Sequence, residues 1–278
     1  MTNAEPNITP IEPVSINETM TLVPWLMLYS GPWTSGQFPS TLSFTPLVLF
    51  TNESASILAA ATAQSPDEYL AAATDVTVLA GFNAMKEIIT ANLGTTTTGG
   101  FEIFHDNAGI LVPSILHPYS RGFVEINSLD PFTEPTIDPR YGSNPLDLQI
   151  VVEGIKFMQK MINTPPIQTL LPVQVAPPAA AVLSDELLTL WVQAGVQTNY
   201  HPSGTASILL LDMGGVVDTN LLVYRTSNLR VVDSWMFPLL PGSHIGAAVY
   251  AVSEKVGYSS FKFPGVTNQS VNKSFSGF

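Results

Sequence analysis

Imidazole is the group in this sequence best suited to acid–base chemistry, because it gains or loses a proton near neutral pH. One histidine, His201, stands in "QTNYHPSGTASILL" (residues 197–210), where small residues directly after the ring would let a bulky group approach the backbone. A second, His244, precedes Gly246, Ala247 and Ala248, which offer the same access. From residue type alone, a histidine beside a proline is also commonly a turn or core residue, so both interpretations stay open.

Other patterns that carry chemistry are missing from the sequence. The remaining histidines, His105 and His117, make no H-x-x-x-H pair with any other, so no metal site is predicted. The sequence contains neither a G-x-S-x-G elbow nor a G-x-G-x-x-G turn, which excludes the usual signatures of α/β hydrolases and of dinucleotide binding. It has no cysteine, which excludes thiolate nucleophiles and disulfides.

Composition narrows the class of partner. The chain of 278 residues is 45% hydrophobic and only 12% charged, which is typical of a globular protein. Its formal net charge of −12 argues against a nucleic-acid partner. The longest apolar run near the start, residues 21–29, is too short to span a membrane, and no signal peptide is legible.

Five N-x-S/T triplets suggest a secreted glycoprotein whose leader lies upstream of this sequence. Their acceptor residues are Asn7, Asn17, Asn52, Asn268 and Asn272. A sequence rich in serine and threonine also produces such triplets by chance, so localisation outside the cell is an expectation from the triplets together with the family resemblance described below.

The pattern of caps and periodicity predicts the elements that must position the histidines. Helices are expected over 54–63, over 146–163 and over 184–194. Three more are expected: one that starts at Ser65, one that ends at Gly94 and a last one after His244. Strands are expected within 42–50 and 101–128, and "NLRVVD" (228–233) has the composition of a buried strand. The predicted fold class is α+β, with an antiparallel sheet backed by helices as a substrate domain. The segment 212–258 would add the C-terminal strands and helix of an incomplete FAD-binding domain.

Several segments in a fixed order resemble one family. They are "HPYSRGFVEINSLDPFTEPTIDPRYGSNPLDL", "HPSGTA", "GGVVDTNLLVY", "NLRVVDSWMFP" and "HIGAAVYAVSEK". The order is similar to that in the C-terminal half of the glucose–methanol–choline (GMC) flavoprotein oxidoreductases, especially the aryl-alcohol oxidase-like branch. The resemblance implies a C-terminal domain over 111–258, a partial substrate-domain segment over 1–110 and a tail over 259–278.

The resemblance also implies a cofactor, a substrate class and site residues. Members pass hydride from the carbinol carbon of a small-molecule alcohol to FAD while a histidine takes the hydroxyl proton. That base corresponds to His201, and the second side chain on the same hydroxyl corresponds to His244. Asp233 and Ser234 would lie near the ribityl–pyrophosphate part of FAD, and the backbone of His244 and Ile245 against the isoalloxazine ring. His117 is expected to be structural.

Departures from the family pattern leave alternatives open. Arg225 stands where members usually carry glycine, Trp235 replaces a small residue, and the half that holds the ADP part of FAD is absent. We therefore expect a fragment, a truncated gene product or a degenerate paralogue, with a missing N-terminal half as a possible partner. The alternatives are a non-catalytic secreted glycoprotein that acts as an interaction module, and a hydroxynitrile lyase-like member of the same fold.

Overall fold

The computed structural model describes residues 41–72, 74–105 and 111–260, and a three-stranded antiparallel sheet lies at its centre. The strands, in chain order, are β1 (Thr41–Thr45), β2 (Phe101–His105) and β3 (Leu111–Ile115). Strand β2 is the middle strand; Phe101 pairs with both Thr45 and Ile115, and His105 with both Thr41 and Leu111. The predicted boundary at residue 110 thus falls between two paired strands, and the division into domains stays a prediction.

Helices flank this sheet, and some of their caps are those that the sequence indicated. They are α1 (Leu47–Phe50), α2 (Ser54–Ala63), α3 (Val76–Leu93), α4 (Pro145–Ile162), α5 (Pro165–Gln168), α6 (Asp185–Gly195) and α7 (Gly246–Ser260). Gly94 ends α3, and the Ser184 hydroxyl accepts from the backbone N–H of Leu187 at the start of α6. The helices predicted over 54–63, 146–163 and 184–194 are confirmed, and so is the α+β class.

The helix predicted from Ser65 is wrong. Residues 66–69 form only turns, and α3 starts further on, at Val76. The Ser65 hydroxyl bonds the carboxylate of Asp67 instead of the free N–H groups of a first helical turn. A short side chain that can bond its own neighbours competes with helix formation, and here the local bond is the one made.

The packing of α4 against β2 holds the sheet in place. Phe101 and Ile103 of β2 are buried among residues of α1, α2, α3 and α4. Gly154 of α4 lies directly on Phe101, since a Cβ built on Gly154 would be 2.2 Å from a ring carbon. Only glycine permits an approach this close, so the helix rests on one face of the central strand.

The first turn of α4 also holds the segment that leaves β3. Asp147 accepts from the backbone N–H groups of Tyr119 and Ser120, each at 2.7 Å. Burial raises the pKa of the Asp147 carboxyl, and burial raises the pKa of Tyr119 to about 12. Arg121 donates to the carbonyl oxygens of Pro118 and Ser120. The backbone after β3 is therefore hydrogen-bonded to side chains at each of the residues 118–120.

Beyond this core a two-stranded hairpin, β4 (Phe123–Glu125) and β5 (Thr136–Asp138), reaches into solvent. Large apolar side chains on it are exposed, among them Ile126, Leu129, Phe132 and Ile137. The hairpin keeps its register with few buried side chains of its own.

The segment 206–245 folds around a small core of its own, and its extended stretches pair only through single bridges. Isolated bridges join Ile208 to Val217, Val217 to Val223 and Leu222 to Arg230. "NLRVVD" is therefore not the buried strand that its composition predicted, and Leu229 is 55% exposed. Val217, Leu221 and Met236 form the buried centre, against which Val252 and Val256 of α7 pack.

Arg225 adopts a left-handed backbone conformation with φ of 63°. Glycine takes up this conformation freely, whereas a side chain with a Cβ makes it costly. The position at which the family usually carries glycine thus has a backbone conformation that favours glycine.

Within the described ranges, none of the helices is long and apolar enough to cross a membrane. Of the acceptor residues in the N-x-S/T triplets, Asn52 is exposed in a turn. The other four fall outside the described residues.

Replacing Gly154 by alanine should lower the free energy of unfolding by about 1–3 kcal/mol, because the new methyl group collides with the Phe101 ring. Gly195, at the end of α6, is the matched control: a Cβ there meets nothing within 4 Å. Gly195→Ala should be neutral or stabilising by about 0.4–1 kcal/mol. Urea denaturation of both variants measures the difference; equal effects would contradict the packing described here.

Replacing Arg225 by glycine should raise the free energy of unfolding by up to about 1 kcal/mol, since it relieves the left-handed backbone at this residue. Arg225→Ala keeps a Cβ and so keeps the strain, which makes it the control that separates backbone from side-chain effects. Thermal unfolding of the two variants is the measurement. A gain shared by both would show that loss of the guanidinium, not of strain, is responsible.

Candidate active site

His201 is presented by a strained turn after α6. Tyr200, directly before it, has φ of 57° and is 84% exposed. The His201 Nδ1 bonds the carbonyl oxygen of Asn199, and the Asn199 amide donates to the Ser114 hydroxyl on β3 at 2.9 Å. The imidazole is thus fixed on its Nδ1 side and leaves Nε2 for other contacts.

His244 meets that free nitrogen. Its Nδ1 lies 3.1 Å from the His201 Nε2, with ring centroids 4.8 Å apart in an edge-on arrangement. The two histidines singled out in the sequence therefore share one site. The ring of Phe104, on β2, lies 6.4 Å from the His244 ring and forms part of the same surface.

The third member of the site is Glu102, which the sequence analysis missed. Its Oε1 lies 2.9 Å from the His244 Nε2, and its side chain is only 2% exposed. The local signal was a carboxylate between Phe101 and Ile103 in a strand, where a buried charge needs a specific partner. Because that partner stands 142 residues away, sequence spacing alone could not name it.

His201, His244 and Glu102 form a row, and its hydrogen bonds indicate which atoms carry the protons. The Asn199 carbonyl can only accept, so the His201 Nδ1 carries hydrogen and, in a neutral ring, the Nε2 is an acceptor. The His244 Nδ1 must then donate to it. Three hydrogen bonds need three hydrogens, whereas two neutral imidazoles supply two, and with His201 neutral the third hydrogen falls to the bond between the His244 Nε2 and Glu102.

Asp233 and Ser234 lie in the turn beside His201. The Asp233 carboxylate accepts from the backbone N–H of Trp235 at 2.8 Å and begins a short 3₁₀ turn, Ser234–Met236. The Ser234 hydroxyl donates to the carbonyl of Pro202 at 2.8 Å, and Ala206 N–H donates to the Trp235 carbonyl at 2.9 Å. These bonds join the turn to the segment after His201; contact with a cofactor stays a prediction for both residues.

The start of α7 is open on the side where a planar ring would approach. Ile245 is buried and its carbonyl accepts from Val249, while Gly246 and Ala247 are exposed and a Cβ on Gly246 meets nothing within 4 Å. The free N–H groups and dipole of a helix N-terminus favour negative charge there. These residues fit the ring portion of a flavin, whereas the sequence contains no glycine-rich turn for the pyrophosphate.

The two remaining histidines lie apart from this row. His105 is at the far end of β2, opposite Leu111. His117 follows β3, its Nε2 is buried with no hydrogen-bond partner among the described residues, and burial lowers its pKa. The ring lies beside Gly242, where a Cβ would be 3.5 Å from the Nε2.

A concavity of about 260 Å³ lies elsewhere, between the N-terminal end of α4 and α6. Lys156 bridges Glu153 and, at 3.0 Å, Asp185 along its wall. The ammonium group is thus already engaged by two of the three carboxylates that line the concavity, the third being that of Glu53. The open surface at the histidines is the better candidate.

Comparison with known proteins points to one family. The family model described as GMC oxidoreductase matches residues 118–253. A GMC oxidoreductase family protein, Mala s 12, from Malassezia sympodialis is 39% identical over 141 residues, which cover 51% of this chain and 23% of the relative.

Solved structures show the same fold. An FAD-dependent oxidoreductase from Chaetomium thermophilum superimposes with a TM-score of 0.82 at 25% identity, covering 92% of this chain and 44% of that one. A fungal aryl-alcohol oxidase does so with a TM-score of 0.77 at 29% identity and the same coverage. The chain thus spans about a quarter of the first relative and less than half of the solved structures. Over residues 118–253 the chain is thus similar to the GMC oxidoreductase family.

Proposed function

We propose that this chain supplies the proton-transfer residues of an FAD-dependent oxidoreductase that acts on the CH–OH group of a small alcohol. The observation that carries the proposal is the 3.1 Å contact between His201 and His244, backed by the buried Glu102. The similarity to an aryl-alcohol oxidase and to an FAD-dependent oxidoreductase supports the reaction class.

The proton assignment gives each histidine its part. The Asn199 carbonyl holds His201 in the tautomer whose Nε2 is an acceptor, and this Nε2 accepts from His244 until an alcohol takes that place, so His201 acts as the general base. His244 carries hydrogen on Nδ1 and donates to the same substrate oxygen, which stabilises the charge that develops there. Glu102 holds the extra proton on the far side of His244 and so keeps that donor in place.

The alcohol oxygen would take the position between the two rings. Two hydrogen bonds of ordinary length that meet at one oxygen set the nitrogens about 4.5 Å apart. The rings therefore part from their 3.1 Å contact when substrate enters, and they close on each other when it leaves. Exposure of 36% for the His244 side chain leaves room for this movement.

A flavin bound against the start of α7 would accept the hydride from the carbinol carbon. His244, Ile245 and the small residues after them would lie along its ring, and the turn at Asp233 and Ser234 would face its ribityl–pyrophosphate part. We further propose that the ADP portion is held by residues outside those described, in the part of the family's length that this chain does not span.

The test is flavin retention and reduction. The full chain is expressed alone and together with an N-terminal FAD-binding half from a structural relative, and bound flavin is measured by its absorbance. Anaerobic addition of aryl and aliphatic primary alcohols should bleach the flavin of the completed protein. A completed protein that binds no flavin, or whose flavin no alcohol reduces, overturns the proposal. Release of cyanide from cyanohydrins without dye reduction would indicate the lyase instead.

Replacing His201 by glutamine should lower the rate of flavin reduction by about 10²–10⁴-fold, because the general base is lost. Retained flavin absorbance checks that the cofactor stays bound. His105→Gln is the matched control, since this histidine lies at the far end of β2 and should leave the rate unchanged. Equal rates in the His201→Gln variant and the unmodified protein would remove the catalytic role of His201.

Replacing Glu102 by leucine should lower the rate by about 10²–10³-fold, the usual loss for one donor to a developing oxyanion. Leucine offers the His244 Nε2 no hydrogen-bond partner, so the ring is no longer held with its Nδ1 hydrogen toward the alcohol. Spectra of ¹⁵N-labelled histidine report this change of tautomer directly. Glu125→Leu, on the exposed strand β4, is the control and should change neither reading.

A further inference from the structure

The loop that carries His244 is supported from two sides. Glu102 of β2 holds the ring itself through its 2.9 Å bond. His117, two residues after the end of β3, lies under the loop at Gly242, two residues before His244. Since β2 and β3 are paired, with Glu102 opposite Ser114, both supports belong to one rigid sheet.

The His117 nitrogen nearest to Gly242 is its Nε2. The His117 Nε2 is buried and has no hydrogen-bond partner among the described residues, and burial alone lowers the pKa of this ring. Moving a proton onto it would place a charge without a partner against the loop backbone. Such a charge is costly away from water, and the cheapest relief is to move the loop outward.

Charged groups on the elements that meet here are engaged elsewhere. The carboxylate of Asp147 is bound by backbone N–H groups, and the Arg121 guanidinium donates to carbonyl oxygens while it stacks over Phe82. Glu102 and His244 are bonded to each other. His105, on β2, lies opposite Leu111. Leu111 is six residues before His117, which places His105 about 20 Å from His117 along the strand direction.

We propose that His117 is a positioning residue for His244: in its neutral form it supports the loop at Gly242, and its protonation releases His244 from His201 and Glu102. The chemical consequence rests on the proposed function, since it is the proton-transfer pair that would be taken apart in acid. The structural consequence does not, because the pair exists in the chain without any flavin or substrate.

The direction of the pH dependence follows from the lowered pKa. Above the ordinary histidine value of 6.5 the ring is neutral in both folded and unfolded chains, and the support is complete. As the pH falls below that value, the unfolded chain takes up the proton first. Stability and loop support are then lost together as the pH approaches the lowered value in the folded protein.

The test uses the full chain labelled with ¹⁵N-histidine, whose four imidazoles give separable signals. In the unmodified protein, the hydrogen-bonded signals of His201 and His244 should disappear over the same pH interval in which His117 titrates. In His117→Phe, which keeps a ring but cannot take a proton, those signals should persist to a lower pH than in the unmodified protein. The control is His105→Phe, which should behave as the unmodified protein does.

Two results overturn the inference. One is that His201 and His244 lose their paired signals at the same pH with and without His117. The other is that both His117→Phe and His117→Gln lack the His201–His244 hydrogen bond at neutral pH although circular dichroism shows them folded. An uncharged side chain at position 117 should be enough to keep that bond. Failure of flavin reduction leaves these spectra unaffected, so this inference and the proposed function fail separately.

Discussion

A buried carboxylate needs a partner, and here that requirement joins two distant segments of the described chain. Glu102 lies in the middle strand with almost no access to water, where an unpaired charge would cost several kcal/mol. His244 satisfies it and is thereby drawn onto the sheet from a loop 142 residues further along. The contact between His244 and His201 depends on that placement.

The alternation of side chains along β2 gives the sheet two functions. Phe101 and Ile103 point to the face that α4 covers, and the glycine in α4 lets the helix come close enough to fill it. Glu102 and Phe104 point to the other face, where they meet the imidazoles. Stability thus comes mainly from one side of the strand, and the proposed chemistry takes place on the other.

The sequence predicted the parts of this protein that depend on local rules. Helix caps such as Ser184 and Gly94 were confirmed, because a cap is made by residues within one turn. The family motifs pointed to His201 and His244, and the structure brings these two rings together. Their catalytic role stays a prediction.

Contacts between distant segments were beyond such rules. Glu102 could not be matched to His244 from spacing, and the pairings around Val217 are single bridges that no alternating pattern announces. The helix expected at Ser65 was lost to one side-chain bond that competes locally.

The central place of β2 determines where this chain can tolerate changes in length. Side chains alternate with a period of two, so inserting or deleting one residue ahead of Glu102 would turn the carboxylate toward Gly154 and an apolar side chain toward the imidazoles. Pairing on both edges prevents the strand from slipping back into register. By contrast, the ten residues 126–135 between β4 and β5 could lengthen or shorten freely, since they point into water. Viable length variants of this fold should therefore gather in that hairpin and spare the middle strand.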